Sequence, residues 1–296
     1  MRLQCQQKMT NSNIIKPIPQ ANQLVKIWRN YGNNTYPINV KNIIDGFVNQ
    51  KFSNEKLTIY SQKLDSIEGA LIKSENSNEW SLLYNSNIVN TGRQNFTIAH
   101  ELGHYLCHRS LQNSFNCGDK EFYQSSLELE KDANIFASYL LMPIDDFKVE
   151  IEGQIIYFDI FKHCADKYQT SLIATIIKWL EFTTEYGVFI VSVDDFVLWS
   201  RSSNSIYKKG IYFKSGTELP KESFVVQKKD YTFLENHILK SGVWNAKYPV
   251  KEFSFHSESY DKTFTLLIYQ DIEDGYFDKE EEQEDCTTYF NRFSTR

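Results

Sequence analysis

The stretch Phe96-Thr97-Ile98-Ala99-His100-Glu101-Leu102-Gly103-His104-Tyr105-Leu106-Cys107-His108 decides how this chain is read. At about 3.6 residues per turn, side chains four apart stand one above the other on a helix. The imidazoles of His100 and His104 therefore reach one point in space. Two imidazoles at that spacing with a carboxylate between them are how a helix holds zinc. Glu101 lies on the adjacent flank, where it can take a proton from an attacking water. On a helical wheel Thr97, His100, Glu101, His104 and His108 fall within one sector of about 100°. The remaining residues from Phe96 to Cys107 are apolar or small. A helix that is apolar around most of its girth is buried, and a narrow titratable strip on it needs partners, which a metal supplies. A solvated stripe would carry Lys or Arg, and this one has neither. Thr91-Gly92-Arg93-Gln94 fits a capping box that starts the helix.

A catalytic zinc takes a third protein ligand and leaves its fourth position open. His108 is too far along the helix, about 12 Å from His100, and reads as a rim residue or a cation at the helix C-terminus. The better candidate comes from a second helix, Leu129 to Leu141, stopped by Pro143. On it Glu130, Ala133, Asn134, Ala137 and Leu141 share a face. The small residues at 133 and 137 let that face approach Ala99 and Gly103 closely. Glu130 is then the expected third ligand, and Asn134, one turn on, is placed to hydrogen-bond a ligating histidine. Asp132 points to the other side with Glu128 and Tyr139 and is the reserve choice. Tyr105 points away from the site, which leaves Tyr123 or His108 as candidate donors to a developing oxyanion.

The segments Arg93 to His108, Glu130 to Ala137 and Leu140-Leu141-Met142-Pro143 resemble the ImmA/IrrE-type zinc metallopeptidases. Weaker matches run through Tyr36-Pro37-Ile38-Asn39-Val40, Lys214 to Pro220 and Phe264 to Ile268, and Asp132 stands where Glu is usual. The resemblance implies a cytoplasmic protease that cuts a helix-turn-helix transcriptional repressor, relieving repression of a stress or mobile-element regulon. It implies one zinc ion per chain and a basic, DNA-binding protein as substrate.

Composition sets bounds on these readings. The 296 residues suffice for two modest domains with real cores. Five cysteines, at positions 5, 107, 117, 164 and 286, form no close pair. Neither a disulfide scaffold nor a cysteine zinc site is suggested, and the pattern fits a reducing compartment. The first residues lack the apolar core of a signal peptide, and no apolar run is long enough to span a membrane. A net charge of −6 argues against direct nucleic-acid binding. Nine acidic residues crowd 271–285, a solvated tail or a docking strip for a basic partner.

The expected fold class is α+β, a zincin-like domain of helices on a small mixed sheet, followed by a smaller β-rich domain. Residues 1–20 read as an irregular arm. Helices are expected over 21–31 and 40–52, and short strands over 57–60, 69–73 and 80–84. One of these strands can offer an exposed edge along the metal cleft, to which a substrate peptide adds as a further strand. Residues 109–126 read as loop. A helical pair over 159–168 and 171–182 superficially resembles a DNA-reading unit, but its second helix is apolar apart from Lys178 and Glu181 and belongs to a core. Strands are expected over 188–193, 196–200, 211–213, 224–227, 253–256 and 263–269. The domains are accordingly set at 1–184 and 185–296, the second as a sensor or docking unit. Three functions remain open on these residues: a zinc endopeptidase, a zinc-containing module that sequesters a repressor, and a metal-dependent hydrolase of a small molecule.

Overall fold

The computed structural model describes residues 15–65, 67–117, 124–227, 233–258 and 261–272. The chain parts into two compact units, one of residues 1–89 with 94–143, the other of 90–93 with 144–296. The change from helices to strands falls near 184. The units part earlier, after Pro143, because the helices that follow pack on the strands of the second unit.

In the first unit α1 (Pro17–Tyr31) starts inside the arm that the sequence left irregular. Proline at a first helical position loses no hydrogen bond and already has the helical φ. A helical run follows in three pieces, α2 (Val40–Ile43), a π-helical turn (Ile44–Val48) and α3 (Asn49–Lys51). Strands β1 (Leu57–Gln62), β2 (Gly69–Lys73) and β3 (Trp80–Asn85) lie at the three expected places. Then come α4 (Thr91–His108), β4 (Ser114–Cys117) and α5 (Gln124–Leu141). The sheet order is β1-β3-β2-β4, with β1 parallel to β3 and the other neighbours antiparallel. β4 corrects the expectation of a loop over 109–126. Its four residues show no usable periodicity and become a strand through partners elsewhere in the chain: Leu71 stands opposite Phe115, whose ring is buried.

α4 starts one residue earlier than the capping box implied. The Asn90 side chain, not Thr91, accepts the Arg93 N–H at 3.0 Å, and Gln94 donates to the Ile88 carbonyl at 2.6 Å. The core joins Leu24 and Trp28 of α1, Leu71 and Leu82 of the sheet, Ile98 and Leu102 of α4, and Phe136 and Leu140 of α5. Tyr105 takes the far side of α4, donating to the Glu55 carbonyl at 2.6 Å.

α4 and α5 meet through small residues, as the sequence requires. A Cβ built on Gly103 would lie 3.2 Å from Ala133 Cα and 3.0 Å from Phe136 Cδ1. Gly103→Val is therefore expected to destabilise the protein by roughly 1–3 kcal/mol through overpacking, measured as a drop in denaturation midpoint. Wild-type stability in that variant would mean the two helices are not closely apposed here.

The second unit carries α6 (Ile144–Ile151), α7 (Phe158–Tyr168) and α8 (Leu172–Phe182) ahead of its strands. Ser171 caps α8 by accepting the Ala174 N–H at 3.1 Å. Lys178 is fully buried beside Glu181 at 3.1 Å, so this face of α8 is core, as the sequence argued. Strands β5 (Gly187–Val193) and β6 (Phe196–Ser202) form a hairpin. The remaining elements are α9 (Asn204–Tyr207), α10 (Phe224–Gln227), β7 (Phe233–Leu239), β8 (Val250–Ser257) and β9 (Lys262–Tyr269). The sheet is antiparallel in the order β6-β5-β9-β8-β7. Phe158 of α7 packs edge-on against Phe255, with ring centroids 5.1 Å apart. On the other face Val188, Ile190 and Leu267 pack with Trp244 and Val225.

Two expected strands are corrected. Phe224–Gln227 is a helical turn because Glu252 takes its first N–H groups, with Val225 N at 2.7 Å and Phe224 N at 3.3 Å. Residues 211–213 run beside β6 but are tied to it by side chains, Ser200 Oγ to the Phe213 carbonyl and Ser202 Oγ to the Ile211 carbonyl. They form no ladder. Apart from Asp271 and the residue beside it, the acidic run lies outside the described residues.

Candidate metal centre

α4 presents His100, Glu101 and His104 on its buried side, each at most 1 % exposed. His100 Nε2 and His104 Nε2 are 3.1 Å apart. From α5, Glu130 brings Oε2 to 3.1 Å from His100 Nε2 and Oε1 to 3.2 Å from His104 Nε2. The three donor atoms lie within 4.8 Å of one another, a group that could hold a metal ion.

The far edge of each ring has a partner of its own. His100 Nδ1 lies 2.9 Å from Asn134 Oδ1, which can only accept, so the proton sits on Nδ1 and leaves Nε2 bare. The structure thus places Asn134 against the far side of His100. His104 Nδ1 lies 3.1 Å from Nδ1 of His108, and which ring donates depends on their tautomers. Burial pushes His104 down to about 4, outweighing the raising effect of Glu130, so the ring is neutral at neutral pH. Burial would raise Glu130, but the adjoining imidazoles hold it well below the usual carboxylate range. Two imidazole nitrogens and a carboxylate oxygen therefore converge in a buried group, a donor set that suits a cation.

Glu101 is fully buried, and neither carboxylate oxygen has a hydrogen-bond partner. Burial pushes its pKa up to about 8. β2 closes over it: a Cβ on Gly69 would come within 2.9 Å of Glu101 Oε1 and 2.5 Å of Thr97 Cγ2. Gly69 is a site residue that the sequence reading missed, although a glycine inside a strand is the usual sign of close backbone approach. Phe115 was missed as well; its ring stacks on His104 with centroids 4.5 Å apart.

His108 is neither rim nor solvated cation. It is 1 % exposed and sits behind His104 on the Nδ1 side, turned away from the donor atoms, so an oxyanion role does not suit it. Asp132, expected on the opposite side, lies 3.8 Å from His108 Nε2 through Oδ2. Tyr123, the other candidate oxyanion donor, lies outside the described residues.

A His-Glu-x-x-His helix, a carboxylate from a second helix and a small mixed sheet define a metallopeptidase-type domain of the zincin-like class. Residues 55–179 match the model of the Peptidase_M78 family, described as the IrrE N-terminal-like domain. Among solved structures, a Mycobacterium tuberculosis transcriptional regulator is similar over 87 % of this chain and 78 % of its own. Its TM-score is 0.56 at 10 % identity, a likeness of fold alone. No curated protein matches the chain. Among the described residues, no helix is long and apolar enough to cross a membrane.

Proposed function

We propose that this chain is a cytoplasmic zinc-dependent endopeptidase whose substrate is a basic helix-turn-helix repressor. The observation that carries the reading is the convergence of two imidazole nitrogens and the Glu130 carboxylate beside a buried Glu101 whose oxygens have no hydrogen-bond partner. His100, His104 and Glu130 would hold the ion. When bound, zinc supplies a Lewis acid that polarises the scissile carbonyl and makes water acidic enough to attack at neutral pH. With the ion's charge favouring its carboxylate form, Glu101 takes the proton of the attacking water on a carboxylate oxygen and delivers it to the leaving amine. Gly69, with no side chain, leaves Glu101 that space, and Asn134 keeps His100 in the ligating tautomer. The edge nearest the site belongs to β4, which pairs with β2 and sets Phe115 on His104. An extended substrate adding along this edge would lie beside the ligand helix.

Sequestration without cleavage fits less well. A structural zinc closes its fourth position with protein, and the group among the described residues has three members. The test is to incubate the zinc-loaded full chain with a small helix-turn-helix repressor encoded beside it. Discrete fragments that vanish with chelator and return with zinc are expected. A stoichiometric complex with no fragments would establish sequestration instead, and turnover of a small ester or amide alone would mean a small-molecule hydrolase.

A further inference from the structure

We infer that His108 and Asp132 form a positioning relay that sets the tautomer and basicity of His104, an inference that rests on the metal reading above. His104 turns Nε2 toward His100 and Glu130, and its other ring nitrogen, Nδ1, lies 3.1 Å from His108 Nδ1. One proton must lie between those two nitrogens. If His104 is to offer Nε2 as a lone pair, that proton belongs to His104 Nδ1, and His108 Nδ1 accepts it. With Nδ1 accepting, the ring proton of His108 lies on Nε2.

That Nε2 is buried and has no hydrogen-bond partner, and the Asp132 carboxylate faces it at 3.8 Å with its side chain 29 % exposed. The contact is an ion-pair distance rather than a hydrogen bond, made by a partly exposed carboxylate to a ring that is packed in place. Phe115 lies over both rings, at 4.5 Å from His104 and 6.2 Å from His108, and keeps water from competing for the bond between them. The chain Asp132–His108–His104 thus delivers a carboxylate's charge to one ligand through a second imidazole. His100 receives only the neutral amide of Asn134. Supports of this kind fix ring orientation and raise ligand basicity.

A purely space-filling His108 would make no such difference to the ion, which gives the test. Zinc affinity of the full-length protein is measured by chelator competition, together with the visible spectrum of the cobalt(II)-loaded protein. His108→Leu keeps most of the volume but removes the acceptor, and is expected to weaken zinc about 10–100-fold and to alter the cobalt bands. His108→Asn puts a carbonyl oxygen near the position of Nδ1, as Asn134 does for His100, and is expected to restore most of the affinity. Asp132→Asn, at a partly exposed position that folding tolerates, should weaken zinc measurably. Wild-type affinity in His108→Leu overturns the relay. Should that variant fail to fold, unchanged affinity in Asp132→Asn overturns it equally. A wild-type protein that takes up no zinc would instead remove the metal reading, and the relay with it.

Discussion

Glu101→Gln is expected to leave zinc binding intact while lowering peptide cleavage by roughly 10²–10⁴-fold, the usual contribution of a positioned general base. The substitution is nearly isosteric, so the close approach of Gly69 and Thr97 survives it. The ligands are untouched, because Glu101 belongs to none of the distances that define the His100, His104 and Glu130 group. What disappears is a group able to accept a proton and then return it. The amide cannot be protonated in the working pH range, so both transfers fail at once. The effect belongs in kcat and kcat/KM together, since the lost interaction is made only as the reaction proceeds. Zinc content, read by elemental analysis, should equal that of the wild type. Cleavage at the wild-type rate would remove Glu101 from the mechanism; loss of zinc along with activity would make it a structural support of the ion.

The chemical part of the site was legible because helix geometry does the positioning. Once His100 and His104 are four apart on a buried helix, their convergence follows, and the small residues at 103, 133 and 137 announce which helix can come near. Glu130 and Asn134 were therefore readable before any fold was known. The supports arriving from elsewhere were not. Phe115 reaches His104 only because β4 pairs with β2, an arrangement across more than forty residues that no local pattern encodes. His108 was misread because a helix end was assumed to be wet, whereas Phe115 covers it. In the second unit Phe224–Gln227 has strand-like composition, yet Glu252, 27 residues beyond Val225, captures its N–H groups and turns it into helix. Short apolar runs of four residues carry too little periodicity to resist such capture. The framework came from periodicity, and the exceptions came from partners distant in the chain, a strand ladder for β4 and side chains bonding to backbone for 211–213 and 224–227.

Protein stripped of metal should become less stable as pH rises from 6.5 to 8, and Glu101→Gln should abolish most of that loss. In the native state burial raises Glu101 from the usual 4.5 to about 8. Between those values the folded chain keeps a proton that the unfolded chain releases, so raising pH favours unfolding. Its contribution is whole below the unfolded pKa and lost as pH climbs through the folded one. At pH 7 the difference is about 3 kcal/mol, a large share of a marginal stability. The other two groups act at lower pH. Burial pushes His104 from 6.5 to about 4, so between those values it adds stability as pH rises, against the Glu101 slope, and it adds no slope above 6.5. Glu130, held low by the imidazoles against the opposing effect of burial, adds stability that is lost only in stronger acid. Above 6.5, Glu101 alone of the three produces a slope. Denaturant unfolding of both chelator-treated proteins from pH 5 to 8 reads the effect directly. The variant should exceed the wild type near pH 8, and the gap should shrink toward pH 5. A gap that stays constant from pH 5 to 8 would mean Glu101 ionises as it would in water, which a carboxylate enclosed by β2 and α4 could not do.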